Sequence, residues 1–410
     1  MISSTSSTLR AGSAVRAIPG TLIKVTTVTF MAMWLFSLVL TGFAVQTDDF
    51  VIIGVLPAIA AGLDVPQAAA GALVTVFTLV YALGAPLSAT LFARLPRKRV
   101  LLAALTLFVA ANLAVPAVDG YPALMALRVL AALGTATALP VALAVAAQRA
   151  PEHARGRSLA AVMAGLTGAF VLGVPAGTWV GAAWGWPATF VLGGLLGLAA
   201  LVAVAVWLPA DGDERGAPVR VVSRELLTGP VAGVLGVTVL AVAGNIAFQT
   251  YLATFLDGLA GVAPTALGVL LAAAGIAGIG GTHAAGWAVD RWGAGPTFTG
   301  AGLAFTAGMA GFAVCWAARP APLAVVVPLL LVWSATAWAV PPAIQSLMLT
   351  RAGRHAAAPA MALTSSTVYL GAAAGSAAGG LLAGGPGAIP LLAAGCALAA
   401  VALARLVPAR

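Results

Sequence analysis

Hydrophobic runs alternate with short polar connectors along almost the whole chain. About 20 consecutive apolar residues suffice to cross a bilayer as a helix. Runs of that kind fall near 33–60, 68–92, 99–118, 122–147, 158–181, 186–208, 230–256, 266–289, 296–317, 322–348, 359–383 and 387–406, which predicts twelve spans. One hydrophilic connector is longer than the rest, at 209–228, and it carries Asp211, Asp213, Glu214, Arg215, Arg220, Arg224 and Glu225. It divides the chain into a tail at 1–29, a first six-helix half at 30–208, a linker at 209–228 and a second six-helix half at 229–410.

Polar residues inside the runs are unevenly shared. The first, fourth, seventh and tenth spans hold Gln46, Asp48, Asp49, Arg128, Asn245, Gln249 and Gln345. The third, sixth, ninth and twelfth are nearly bare, with Asn112 the main exception. Helices facing lipid should be bare, whereas helices around a watery path need hydrogen-bonding groups. Polarity that recurs every third span is a repeat of the kind built into transporters.

Composition excludes a soluble fold: 61% of residues are hydrophobic and 8% charged, against about 25% charged in soluble domains. The net charge of +9 invites a nucleic-acid partner, but the basic residues sit in short loops rather than on one face. Arg319 falls in a predicted outer loop and Arg128 within a span. The other eighteen of the twenty lie in alternate connectors and at the two ends. Basic loops stay on the cytoplasmic side, so both termini are predicted to be cytoplasmic, in a bacterial plasma (inner) membrane. Cys315 and Cys396 lie in apolar runs and suggest neither a disulfide framework nor a metal site. His153, His283 and His355 are scattered, without metal-ligand spacing.

The candidate chemistry centres on the first span, where Asp48 and Asp49 are adjacent. A charge at mid-bilayer costs about 2.5–3.5 kcal/mol on insertion scales, so such residues face a protein interior or a watery cavity. Successive helical residues point 100° apart. Asp49 therefore shares a stripe with Gly42, Gln46 and Ile53, and Asp48 one with Thr41, Val45 and Ile52. A carboxyl there can hold a proton and release it when the cavity opens to the other side. Arg128, always charged, either senses the acids across the cavity or snorkels from the outer end of its span. Polar or aromatic residues on path-lining spans are substrate-contact candidates: Gln46, Tyr81, Asn245, Gln249, Tyr251, Trp333, Trp338, Gln345 and Tyr369. Few fixed charges among aromatics suit a neutral or weakly polar organic molecule; ordinary helix packing is the alternative for each.

Four segments carry a family resemblance. Gly286 to Gly293, G-W-A-V-D-R-W-G, resembles the G-x-x-x-D-R-x-G loop of the major facilitator superfamily, with Gly286, Asp290, Arg291 and Gly293 in place. The equivalent loop after the second span keeps a basic cluster but has Ala93 for the acid and Pro96 for the second glycine. Arg128 to Gly134 resembles that superfamily's fourth-span arginine motif. Gly173-Val-Pro175-Ala-Gly177 resembles the fifth-span motif of its antiporters, and Thr47 to Pro57 the first-span signature of its twelve-span drug and sugar exporters. Setting Ala93 on Asp290 shifts the halves by 197 residues and carries Asp49 to Asn245 and Ile246.

The resemblance implies an all-helical membrane protein, two pseudo-symmetric six-helix halves around a central cavity, working by alternating access. It implies proton-coupled antiport that exports a drug-like or sugar-like molecule, with no enzyme activity and no cofactor, by a monomer. Gly173, Pro175 and Gly177 are then expected to form a sliding seam. The same fold also serves uptake symporters and facilitators; a membrane enzyme or sensor is a remoter class. No phosphate-binding G-x-x-x-x-G-K-S/T loop is present to couple ATP directly.

Overall fold

The computed structural model describes residues 18–151, 154–210, 229–352 and 357–406, with side chains from Met33 onward except at 357–359 and 362. Most of the predicted linker, the first 17 residues, His153 and His355 lie outside the described residues.

The chain is a series of helices: α1 Ile18–Gly62, α2 Gln67–Leu91, α3 Arg97–Leu113, α4 Tyr121–Arg149, α5 Arg155–Gly168, α6 Val174–Trp184, α7 Trp186–Trp207, α8 Gly229–Thr250, α9 Leu252–Ala260, α10 Pro264–Trp292, α11 Ala294–Ala317, α12 Leu323–Ala352, α13 Ala357–Leu381 and α14 Ile389–Leu406. Ten segments among the described residues are long and apolar enough to cross a membrane. A π turn at Ala169–Gly173 joins α5 to α6 into one such segment.

Three boundaries differ from expectation. Helix begins at Ile18, inside the predicted tail, because Pro19 falls in the first turn, where its missing N–H has no intrahelical role. α3 stops at Leu113, short of 118, where Pro116 turns the chain into a 3₁₀ step at Val115–Ala117. The seventh predicted span breaks at Tyr251, which leaves α9 as a separate short helix.

The two sets of helices pack by one scheme. In the first set α1 lies on α5 and α7, α2 on α4, and α3 on α4 and α7. In the second set α8 lies on α13 and α14, α10 on α12, and α11 on α12 and α14. The sets meet through α2 against α13 and through α6 against α10. Three hydrogen bonds join them among the described residues: Thr254 Oγ1 donates to Gln67, Trp179 Nε1 to the Thr265 carbonyl at 3.0 Å, and Ser376 Oγ to the Gly71 carbonyl at 3.1 Å. All three lie toward the end of the bundle where α1 passes into α2, so that end is pinned by bonds between described residues.

Gly293 turns α10 into α11 at φ 86° and ψ 165°, a region open essentially to glycine alone. Pro96, at the matching position of the earlier loop, sits at φ −57°, so that loop takes a different path over Phe92 to Leu95. Elsewhere glycine allows close approach. A Cβ at Gly281 would meet the backbone carbonyl of Ala335 on α12, whereas one at Gly280 would meet nothing within 4 Å. Gly281→Val should therefore cost about 1–3 kcal/mol through overpacking and lower the thermal midpoint in detergent. Gly280→Ala should leave that midpoint unchanged or raised, since Gly is a poor helix residue.

Candidate functional site

α1 carries its two acids into different surroundings. Asp48 points toward α4 and α7, where it is fully buried, and its Oδ2 accepts a hydrogen bond from Arg128 Nη1 at 2.8 Å. Gly193 of α7 makes room, because a Cβ there would stand 3.2 Å from Asp48 Oδ1. Arg128 is 1% exposed, which excludes snorkelling. Its guanidinium lies over the ring of Phe77 at 4.3 Å and near that of Phe190 at 5.4 Å, a cation–π cradle that partly replaces lost water. Asp48 Oδ1 and Arg128 Nε and Nη2 have no hydrogen-bond partner among the described residues. This is the one ion pair formed between described residues, and its bonding capacity is incompletely used.

Asp49, one residue on, has no cation of its own. Its Oδ2 accepts from Gln46 Nε2 at 3.3 Å, one helical turn back, and Tyr81 and Tyr369 stand within its electrostatic reach. Those tyrosines stack across the α2–α13 contact with ring centroids 3.7 Å apart. The acid cluster therefore adjoins a place where the two helix sets touch.

The register of α1 is held from behind. Gly173, Gly177 and Gly181 face Thr47, Val51 and Val55, and Gly54 faces Thr178, a spacing of four residues on both helices. The π turn ahead of Pro175 absorbs the proline that would otherwise break the segment. In this structure the expected seam is packed closely inside the first helix set. Phe170, Val171 and Trp179, from positions between the glycines, are the residues that reach α10.

A cavity of about 180 Å³ opens beside Phe50, lined by Asn245 and Gln249 of α8, Phe298 and Phe305 of α11 and Trp338 of α12. It brings together three of the predicted substrate contacts, Asn245, Gln249 and Trp338. The others lie elsewhere. Gln46 belongs to the acid cluster, and Tyr81 and Tyr369 to the tyrosine stack. Tyr251 is buried in a slot formed by Gly71, Gly379 and Gly380, where its hydroxyl donates to the Ser376 carbonyl at 3.3 Å. Gln345 is half-buried one turn beyond Pro341, which lines the cavity, and Gln345 itself does not. Gly286, Asp290, Arg291 and Gly293 sit at the far end of α10, where Arg291 lies 5.8 Å from the Trp287 ring.

Sequence reasoning missed Phe50, Phe298 and Phe305. The ninth span looked like a lipid-facing helix because it is apolar, yet an apolar cavity needs apolar walls.

The sequence profile of the Major Facilitator Superfamily matches residues 38–376. The chain belongs to the major facilitator superfamily. It is 34% identical over 265 residues to the chloramphenicol resistance protein of Streptomyces lividans, an alignment covering 64% of this chain and 68% of that one. It is 29% identical over 346 residues to the inner membrane transport protein YdhP of Escherichia coli, covering 84% and 87%. Among solved structures it resembles a D-xylose-proton symporter with a TM-score of 0.74 at 18% identity, covering 93% of this chain and 98% of that one. The fold of this superfamily member is therefore that of a multi-pass transporter.

Removing one partner of a buried ion pair strands the other charge and costs about 3–5 kcal/mol. Asp48→Asn and Arg128→Met should each lower the thermal midpoint of the purified protein. The double substitution should recover most of the loss, as a double-mutant cycle on thermal unfolding would measure.

Proposed function

We propose that this superfamily member is a proton-coupled antiporter that exports a small organic molecule across the bacterial plasma membrane by alternating access. In this reading it has twelve spans, two six-helix halves joined by the 209–228 linker, and both termini in the cytoplasm. The observation that carries it is the division of labour between the two acids. Asp48 is committed to Arg128 at 2.8 Å, whereas among the described residues Asp49 takes its hydrogen bond from Gln46, and it adjoins Phe50 of the cavity wall.

With Asp49 ionised, the trio of Arg128, Asp48 and Asp49 carries one net negative charge. With Asp49 protonated it is neutral. A neutral cluster can be closed away from water at far less cost than a charged one, so proton binding favours the closed arrangement and proton release the open one. Tyr81 and Tyr369, stacked between the helix sets beside Asp49, transmit that change to the contact that must separate. In this reading Arg128 is the partner of Asp48, which leaves Asp49 as the acid that takes and gives up the proton. Each proton moving inward supplies about 2.3 kcal/mol per 100 mV of membrane potential.

The pinned end, carrying the Gln67, Thr265 and Gly71 contacts, is then the outer face, and the cavity is available to cytoplasmic substrate. The relative in Streptomyces lividans, named a chloramphenicol resistance protein, supports export of a drug-like compound.

The test is accumulation of labelled chloramphenicol in inside-out vesicles energised by a proton gradient. Wild type should accumulate it and lose the accumulation when the gradient is collapsed. Asp49→Asn should cut gradient-driven accumulation at least tenfold while remaining in the membrane at wild-type abundance, and Asp49→Glu should retain it. Undiminished coupled transport by Asp49→Asn removes the assignment.

A further inference from the structure

Three side chains at the cavity form a chain of hydrogen bonds whose direction is set at one end. The indole Nε1 of Trp333, a residue 1% exposed, donates to Asn245 Oδ1 at 3.1 Å. An indole N–H can only donate, so it settles which end of the Asn245 amide faces it. Asn245 Nδ2 is then turned toward Gln249 and donates to its Oε1 at 3.3 Å. That use of Oε1 leaves Gln249 with its Nε2 amino group. No described residue accepts from that group, and Gln249 lines the cavity.

The rest of the wall is apolar apart from the indole N–H of Trp338, which stands beside Gly278 of α10; it has rings from Phe50, Phe298, Phe305 and Trp338, and no acidic or basic side chain among the lining residues. An engineered apolar cavity of about 150 Å³ takes a benzene ring, and this one measures about 180 Å³.

Taking that cavity as the substrate site of the transporter, we propose that it selects an uncharged aromatic compound bearing a hydrogen-bond acceptor, and that Gln249 is the residue that reads the acceptor. Trp333 and Asn245 are positioning residues: they hold Gln249 so that it offers donors and no acceptor. A sugar is disfavoured, because its many hydroxyls would lose water against phenyl rings with one polar group to replace it. An organic cation is disfavoured because no carboxylate lines the wall. The inference therefore separates the drug-like from the sugar-like alternative within the proposed export function.

The test is equilibrium binding to the full-length protein in lipid nanodiscs, with empty nanodiscs as the blank and the same neutral pH on both faces. The probes are 4-nitroanisole (a ring with acceptors only), indole (a ring with a donor only), arabinose and tetraphenylphosphonium. Wild type should bind 4-nitroanisole at least tenfold more tightly than indole, and the sugar and the cation more weakly than either. Gln249→Leu should weaken 4-nitroanisole about tenfold and leave indole unchanged. Trp333→Phe should abolish the preference between the two rings, because Asn245 and then Gln249 become free to turn over; loss of a purely structural residue would weaken both rings alike. Equal binding of the rings by wild type, tighter binding of arabinose or the cation, or an unaltered preference in both variants would overturn the proposal. Should Trp333→Phe fail to fold, the Gln249 variant decides alone. Binding at equal pH needs no proton coupling, so failure here and failure of gradient-driven export are separate results.

Discussion

An arginine and an aspartate sealed together in a bundle of apolar helices is the constraint around which this molecule is arranged. Neither charge has water, and their mutual attraction has to offset the desolvation of both. Arg128 is accommodated because Phe77 and Phe190 offer it the negative faces of their rings, and Asp48 because Gly193 leaves space beside its carboxylate. The pair fixes α1 against α4 and α7, and its geometry turns the neighbouring Asp49 the other way. Helical geometry does that without further machinery, since adjacent residues point 100° apart.

In the proposed reading Asp49 is the acid whose charge changes. Its surroundings join three features that lie on different helices: Gln46 one turn back, the Tyr81–Tyr369 stack between the helix sets, and the cavity wall beginning at Phe50. Such an arrangement places an ionisable group where a change of one charge is felt both by a ligand space and by an interface. The glycines of α6 serve the same arrangement from behind, since Gly173, Gly177 and Gly181 let α1 settle close enough for its register to be set by contact rather than by flexible side chains.

The cavity itself is built by the second helix set, and its polarity is modest. Two amides, oriented by one indole, are the polar groups in a wall of rings. As the proposed substrate site it would gain affinity from apolar burial and selectivity from the single direction in which its hydrogen bonds run.

Much of this molecule was legible in the residue pattern. Apolar runs long enough for a bilayer, polar residues confined to every third span, and the Gly286 to Gly293 loop pointed to a helical transporter, and Asp48, Asp49 and Arg128 stood out because charges are costly in lipid. Asn245 and Gln249 were legible for the same reason. What the sequence could not decide was which groups meet. That Asp48 rather than Asp49 takes the arginine depends on how α1 is rotated against α4, and residues 80 positions apart carry no local signal of their 2.8 Å contact. Tyr251 and Gln345 looked equally suited to a cavity, yet one fills a glycine slot and the other lies outside the lining, because side-chain direction is set by how each helix is rotated against its neighbours. Phe298 and Phe305 were invisible as site residues because an apolar side chain that lines a cavity and one that faces lipid read the same in sequence. Composition determines that a residue must leave water; only the packing of helices distant in the chain decides what it leaves water for.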